Sequence, residues 1–175
     1  KHIWSQKSAL DPRIASSIVE KAVTAKRGTI YDRNHTVIAQ QTQAYTIVAY
    51  LDKGVVDVNG NPNYVKDISS TAKKLKSVLG DEVNEKALVK IMKSAKMAGK
   101  SQTELGSGTK RIKKSLMKEI KKLKIPGIGF IDAVSRYYPA TPYSSNLIGF
   151  AAYDEDKQSI EGKLGLELSL NALLL

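Results

Sequence analysis

The sequence predicts an α+β fold: a strand-rich base formed by both ends of the chain, with a basic helical head inserted between them. Three features predict it. β-Prone runs gather between residues 29 and 51 and again between 128 and 152, apolar stripes at helical spacing lie between them, and the excess positive charge falls on the stretch that holds those stripes. A chain of 175 residues can hold one domain with a real core, or two small lobes sharing a base.

Taken in order, Asp11-Pro12 makes a turn-like start to a helix over 11–26, where Ile14, Ile18, Val19 and Ala22 fall at helical spacing. Two β-prone runs follow, Thr29 to Arg33 and Thr36 to Gln41, joined by Asn34-His35. A two-residue connection suits a type I′ turn, which wants positive φ at both positions. Histidine tolerates that region at about 1 kcal/mol. Tyr45 to Leu51, rich in β-branched and aromatic residues, predicts a strong strand, and Asn59-Gly60-Asn61-Pro62 predicts a loop.

Helices are expected next. Val65, Ile68, Ala72, Leu75 and Leu79 form one stripe that Gly80 should end. In the second helix Val83 staples onto Leu88 across an Asn84 cap, and Leu88, Ile91, Met92 and Ala95 face inward. The third sets Ile112, Leu116, Ile120 and Leu123 on one side with most lysines turned away. A short strand is predicted around Thr103 to Leu105, then strands over Ile128 to Ala133 and Leu147 to Ala152. The charged loop Asp154-Glu155-Asp156-Lys157 precedes a final apolar helix from Gly165 to Leu175. That helix stops on Leu173-Leu174-Leu175 with no cap or polar tail, as in a piece of a longer protein.

Charge is unevenly placed. Residues 66–124 hold 17 Lys and Arg against 6 Asp and Glu, while the remainder holds 11 against 11, so the net +11 belongs to the head. Solvated helix faces are the commonest reason for such runs. A phosphate-binding surface is the alternative, but between Val65 and Ile125 there is no aromatic to stack on bases. The expectation is no nucleic acid, with a polyanion-binding or nucleic-acid-binding module as the alternative.

Candidate chemistry is sparse. There is no cysteine, hence no disulfide, thiolate site or cysteine nucleophile. Ser70-Thr71-Ala72-Lys73 and Ser115-Leu116-Met117-Lys118 match Ser-x-x-Lys, in which a lysine one turn away activates a serine, and Ser144-Ser145-Asn146 matches a companion element. At helical spacing Ser70 falls opposite the apolar stripe, Ser115 and Lys118 fall among solvated lysines, and no Lys-Thr-Gly follows. Ser107-Gly108-Thr109-Lys110 carries those residues in the wrong order. His2 and His35 neighbour no metal-like cluster, and Asp154-Glu155-Asp156 lacks the glycine and final glutamate of a calcium loop. No catalytic, cofactor-binding or metal residue is expected.

Three ordered stretches carry a resemblance: Arg27-Gly28-Thr29-Ile30-Tyr31-Asp32-Arg33-Asn34, then Arg136-Tyr137-Tyr138-Pro139 with Ser145 to Phe150, then Gly162-Lys163-Leu164-Gly165-Leu166-Glu167. Ile125-Pro126-Gly127-Ile128-Gly129-Phe130 adds a fourth piece. Together they resemble the N-terminal pedestal, or dimerisation domain, of class B penicillin-binding proteins, most of all the division-type enzymes of Gram-positive bacteria. The resemblance implies an elongated pedestal over 20–175, with base 20–51 and 128–175 and head 52–127, after a membrane-proximal helical linker at 1–19.

It further implies an N-terminal membrane helix and a peptidoglycan D,D-transpeptidase domain that lie outside this chain. The implied location is the outer face of the bacterial cytoplasmic membrane. The implied partners are the chain's own transpeptidase domain, a cell-wall glycosyltransferase with other division or elongation proteins, and a homodimer mate. The site residues it implies are structural: Arg27, Gly28, Asp32, Arg33, Asn34, Arg136, Pro139, Gly149, Gly162, Gly165 and Glu167. Within that set Arg27, Arg33 and Arg136 oppose Asp32 and Glu167, and one or more arginines are expected to hold the final helix through Glu167.

Overall fold

The computed structural model describes residues 25–57, 59–139 and 145–175. The predicted helix at 11–26 lies outside them apart from Ala25 and Lys26, which have no regular structure. The architecture is α+β, as predicted, with strands at both ends and helices between.

One long strand organises it. β1 (Ile30–Tyr31) runs antiparallel to the start of β2 (Val37–Tyr50). β2 fuses the two runs that the sequence separates at Thr42 to Ala44. Between them Thr42, Gln43 and Ala44 stay extended because a neighbouring strand pairs with every one of them. The turn before β2 also differs from expectation. Only His35 has positive φ, at 60°, and the loop has three residues, Arg33 to His35, closed by Asp32 N–H to the Thr36 carbonyl at 2.9 Å. Asp32 Oδ1 accepts from the N–H groups of Asn34 and Thr36, both at 2.8 Å, so the aspartate shapes the turn and one left-handed residue suffices. A bulge between Ile30 and Tyr31 absorbs the extra residue.

The helices follow their caps. α1 (Ile68–Leu79) starts where Asp67 accepts from Ser69 and Ser70 and stops at Gly80, whose φ is 60°. Val65 belongs to the core but precedes the helix, its N–H bonded to the Tyr50 carbonyl at 2.8 Å. After a 3-10 turn at Gly80–Glu82, α2 (Glu85–Met97) is capped by Asn84 and buries Leu88, Met92 and Ala95. β3 (Gln102–Glu104) then joins the far end of β2.

α3 (Lys114–Lys122) corrects the predicted stripe. Met117 and Ile120 are its buried residues and Leu123 is 38% exposed. Ile112 lies before the helix, in a bridge to Tyr45. The core of the head therefore combines Ile47, Ala49, Leu75, Leu88, Met92 and Ile120 from strands and helices with Leu105 from the loop after β3.

β4 (Ile128–Tyr137) returns along β2, from Ala49↔Ile128 to Gln40↔Tyr137, in unbroken register. This ladder is the spine that joins head to base.

The end of the chain departs furthest from prediction. Leu147 and Ile148 belong to a helical turn, α4 (Ser145–Ile148), and the strand β5 (Phe150–Asp154) begins after it. The acidic loop is the tip of a hairpin into β6 (Ser159–Leu164), a strand that the sequence reading misses. The predicted final helix is two short ones, α5 (Gly165–Ser169) and α6 (Asn171–Leu174), broken at Leu170. Leu174 completes a small second core with Ile30 and Ala39.

Candidate functional site

The ends of the chain meet at a buried ion-pair cluster. Arg27 sits just before β1, Arg136 near the end of β4, and Glu167 in α5. Glu167 is fully buried and Arg27 is 2% exposed. One carboxylate oxygen of Glu167 accepts from Arg27 Nε at 3.0 Å and Nη2 at 2.8 Å, and the other from Arg136 Nε at 2.7 Å. A carboxylate shared by two guanidinium forks is the geometry that arginine supplies and lysine cannot.

Every N–H of the Arg27 guanidinium finds an acceptor. Besides Glu167, Nη1 donates to the Ile160 carbonyl at 3.1 Å and to Asn171 Oδ1 at 2.8 Å, and Nη2 to the Glu167 carbonyl at 2.9 Å. Arg136 Nη1 donates to the Gly28 carbonyl at 2.7 Å, tying β4 to the entry segment. Its Nη2 is buried without a partner among the described residues.

A second carboxylate, Glu161, adjoins the cluster through Asn171 and pairs with Lys157 at 3.3 Å. Asn171 Nδ2 donates to Glu161 Oε2 at 2.8 Å, and Ser159 Oγ donates to Glu161 Oε1 at 2.8 Å. These bonds, Asn171 first, hold the Glu161 carboxyl below its ordinary range. The Tyr138 hydroxyl accepts from the Ala151 N–H at 2.7 Å, and burial pushes its phenol up. Breaking a buried pair from one side leaves an uncompensated charge, a loss of about 3–5 kcal/mol.

The glycines of the cluster allow close approach. Gly28 N–H bonds the Leu174 carbonyl at 2.7 Å. A Cβ on Gly162 would strike the Glu167 carbonyl, so α5 packs backbone to backbone on β6, and one on Gly149 would strike the Leu164 carbonyl, so the turn between α4 and β5 packs likewise on the end of β6. Gly149 and Gly165 also have φ of 69° and 62°.

Of the residues singled out in sequence, Arg27, Gly28, Arg136, Gly162 and Glu167 meet here, with Gly149 and Gly165 in the adjoining turn. Asp32, Arg33 and Asn34 are exposed in the β1–β2 loop and take no part, and Pro139 is exposed just beyond β4. Asn171, Glu161, Tyr138 and Gln41, whose Oε1 accepts from Arg27 N–H at 2.8 Å, were not singled out. The one signal for Asn171 was an amide inside an otherwise apolar run.

The Ser-x-x-Lys strings stay apart from this site. Ser70, Lys73, Ser115 and Lys118 are exposed on two helices of the head. Thr109 of Ser107-Gly108-Thr109-Lys110 is fully buried, its hydroxyl donating to the Gly106 carbonyl at 2.7 Å. His2 lies outside the described residues and His35 is exposed.

A second contact joins head to base across a groove of about 1030 Å³. Arg111 lies over the Tyr153 ring at 3.9 Å and reaches Glu155 at 3.2 Å, while Lys110 meets Glu104 at 2.9 Å and Glu155 at 3.5 Å. Hydrogen bonding and charge from Glu104 hold the Lys110 ammonium above its usual range, and Arg111 holds Glu155 below its own. What these arrangements can do is set the relative placement of the segments that they join.

Residues 22–175 match the family model described as Penicillin-binding Protein dimerisation domain. Stage V sporulation protein D of Bacillus subtilis (strain 168) is 29% identical over 142 residues, covering 81% of this chain and 19% of that protein. Among solved structures, Penicillin Binding Protein 2X from Streptococcus thermophilus is similar with a TM-score of 0.58 and 31% identity, covering 87% of this chain and 23% of that one. Penicillin-Binding Protein (PBP2), in a complex with MreC from Helicobacter pylori, shares the fold with a TM-score of 0.54 and 19% identity over 87% of this chain and 28% of that one. The chain thus spans less than a third of the length of each.

Proposed function

Because the chain belongs to the penicillin-binding protein dimerisation-domain family, we propose that it is the non-catalytic pedestal of a peptidoglycan D,D-transpeptidase. In this reading it positions the catalytic domain and contacts cell-wall synthesis partners, among them a glycosyltransferase. The parent would be a serine enzyme anchored by an upstream helix at the outer face of the cytoplasmic membrane. No helix among the described residues is long and apolar enough to cross a membrane.

The observation that carries the reading is the buried Arg27–Glu167–Arg136 cluster. It locks the entry segment, the spine strand β4 and the closing helix α5 into one unit. A unit built this way transmits orientation, because none of the three can tilt without exposing or unpairing a buried charge. The short coverage of the relatives supports a larger parent, in which the remaining length holds the enzyme.

The test is made in a polypeptide carrying the transpeptidase domain. Glu167→Gln and Arg136→Met should lower peptidoglycan cross-linking or partner binding, while acylation of the same polypeptide by a β-lactam stays as it was. Variants that fold and leave both activity and partner binding intact would remove the positional role.

A polyanion-binding role for the head is the second reading, supported by Lys73, Lys74, Lys86, Lys90, Lys93, Lys114 and Lys118, all exposed. Such binding must weaken steeply with salt, and affinity for polyphosphate that ignores ionic strength would end it.

A further inference from the structure

We propose that the open edge of β4, from Ile128 to Val134, docks an extended acidic segment of a partner protein, which joins the sheet as an added strand. The proposal deepens the partner-contact half of the function above and rests on it.

The edge itself is the first observation. Among the described residues β4 pairs with β2 alone, so its other side offers backbone donors and acceptors to whatever approaches. Nearer the base, Arg136 and Tyr138 are engaged with α5 and β5, which leaves the head half open. Exposed edges are ordinarily blunted by proline, lysine, a bulge or a twist away from the sheet. Ile128-Gly129-Phe130-Ile131-Asp132-Ala133-Val134 has no proline or lysine, its pairing with β2 has no register shift, and Ile131 is 45% exposed.

A hollow beside the edge is the second. About 360 Å³ in volume, it is lined by Tyr50, Ile120, Ile125 and Phe130, with Lys121 and Lys124 beside them. The Tyr50 ring that lines it rests on Gly129, where a Cβ would come within 2.6 Å of the ring and displace it. Strand addition characteristically works this way: main-chain bonds hold the peptide and a pocket takes one of its alternate side chains.

Charge chooses the occupant. Lys121 lies 5.7 Å from the Phe130 ring, and no ion pair among the described residues engages Lys121 or Lys124. A second copy would bring another net +11 to this surface and, paired antiparallel about the middle of β4, would set one exposed Asp132 near the other. A strand that carries its carboxylates only at the Lys121 and Lys124 end, with an uncharged residue opposite Asp132, avoids both penalties. It would place one apolar or aromatic side chain in the hollow and carboxylates against Lys121 and Lys124.

The test uses the whole 175-residue chain and a fluorescent peptide of about nine residues, valine-rich around a central phenylalanine, with its glutamates confined to one end. Binding should be followed by anisotropy and by amide exchange. The expected result is slowed exchange in Ile128 to Val134 and affinity that falls about tenfold or more when Lys121→Glu and Lys124→Glu are combined. Both lysines are exposed, so that variant should keep its melting curve. Gly129→Ala should weaken binding as well. Failure of the peptide to slow exchange in β4, or indifference to the charge reversal, would overturn the proposal, as would self-association through β4 in the absence of peptide. None of these readouts involves Glu167 or Arg136, so the edge site can fail while the positional role stands.

Discussion

Asn171 and Arg27, at opposite ends of the described chain, meet at 2.8 Å, the asparagine Oδ1 accepting from Nη1. The same oxygen accepts from the Gly162 N–H at 2.8 Å while Nδ2 donates to Glu161, so one amide satisfies a guanidinium, a strand and a carboxylate. Asn171→Ala should leave all three short of a partner and lower stability by about 2–3 kcal/mol. Asn171→Asp should be tolerated no better, because the new charge faces Glu161. Denaturant midpoints with an unchanged slope are the measurement.

Glu167 has two guanidinium partners, and its removal leaves both charges buried and uncompensated. Glu167→Ala should therefore lower stability by about 3–5 kcal/mol. A double-mutant cycle with Arg27→Met should show strong coupling, since the double variant no longer strands that arginine. An unchanged unfolding midpoint in Glu167→Ala would refute the idea that the cluster holds α5.

The reach of the sequence is clearest at the caps. Gly80 and Asn84 act within a turn of their own positions, so the stop of α1 and the start of α2 could be read locally, whereas the Asp67 cap was passed over and Val65 was set on the helix that it precedes. β2 was legible at Thr36 to Gln41 and at Tyr45 to Leu51 for the same reason, but the link between them at Thr42 to Ala44 stays extended because β4 pairs with it. β6 was missed because Ser159-Ile160-Glu161-Gly162-Lys163-Leu164 has little strand propensity and forms against β5. The break at Leu170 was equally invisible. It turns Asn171 toward Arg27, a partner 144 residues away, and periodicity carries no information about such a contact.

Acid should loosen the base. The Glu161 carboxyl is held below its ordinary 4.5 in the folded chain, chiefly by Asn171 and Ser159. A depressed carboxyl contributes stability that is present above the unfolded value and is lost as pH falls through the folded one. Stability should thus decline on acidification below about pH 4.5, with Asp154, lowered by Lys163, acting in the same direction. Glu161→Gln should start less stable and decline less steeply. A slope identical to that of the parent chain would show that Glu161 is not among the groups responsible.

Gly162 is extended backbone, so its role is one of space. A Cβ there would strike the Glu167 carbonyl, which is rigid main chain that a flexible side chain could not mimic. Gly162→Ala should lower stability by about 1–3 kcal/mol by pushing α5 off β6. Amide exchange should quicken in Gly165 to Leu174 before the head responds, because the large core of Leu75, Leu88 and Met92 is elsewhere. Uniform loosening of head and base together would contradict that division of the core.

The contact between head and hairpin tip is of a different kind. Glu155 is exposed and its pairs with Lys110 and Arg111 lie at 3.5 and 3.2 Å, so each is weak and is screened by salt. Arg111 over Tyr153 adds about 0.5–1 kcal/mol, although Arg111 holds a φ of 54°. Glu155→Gln should leave the global midpoint almost unmoved. Local opening is where it should show: amides of Tyr153 to Ser159 should exchange faster, and high salt should produce the same change in the parent chain. If Glu155→Gln lowers global stability as much as Glu167→Ala does, the tip is part of the cooperative core and no separate latch exists.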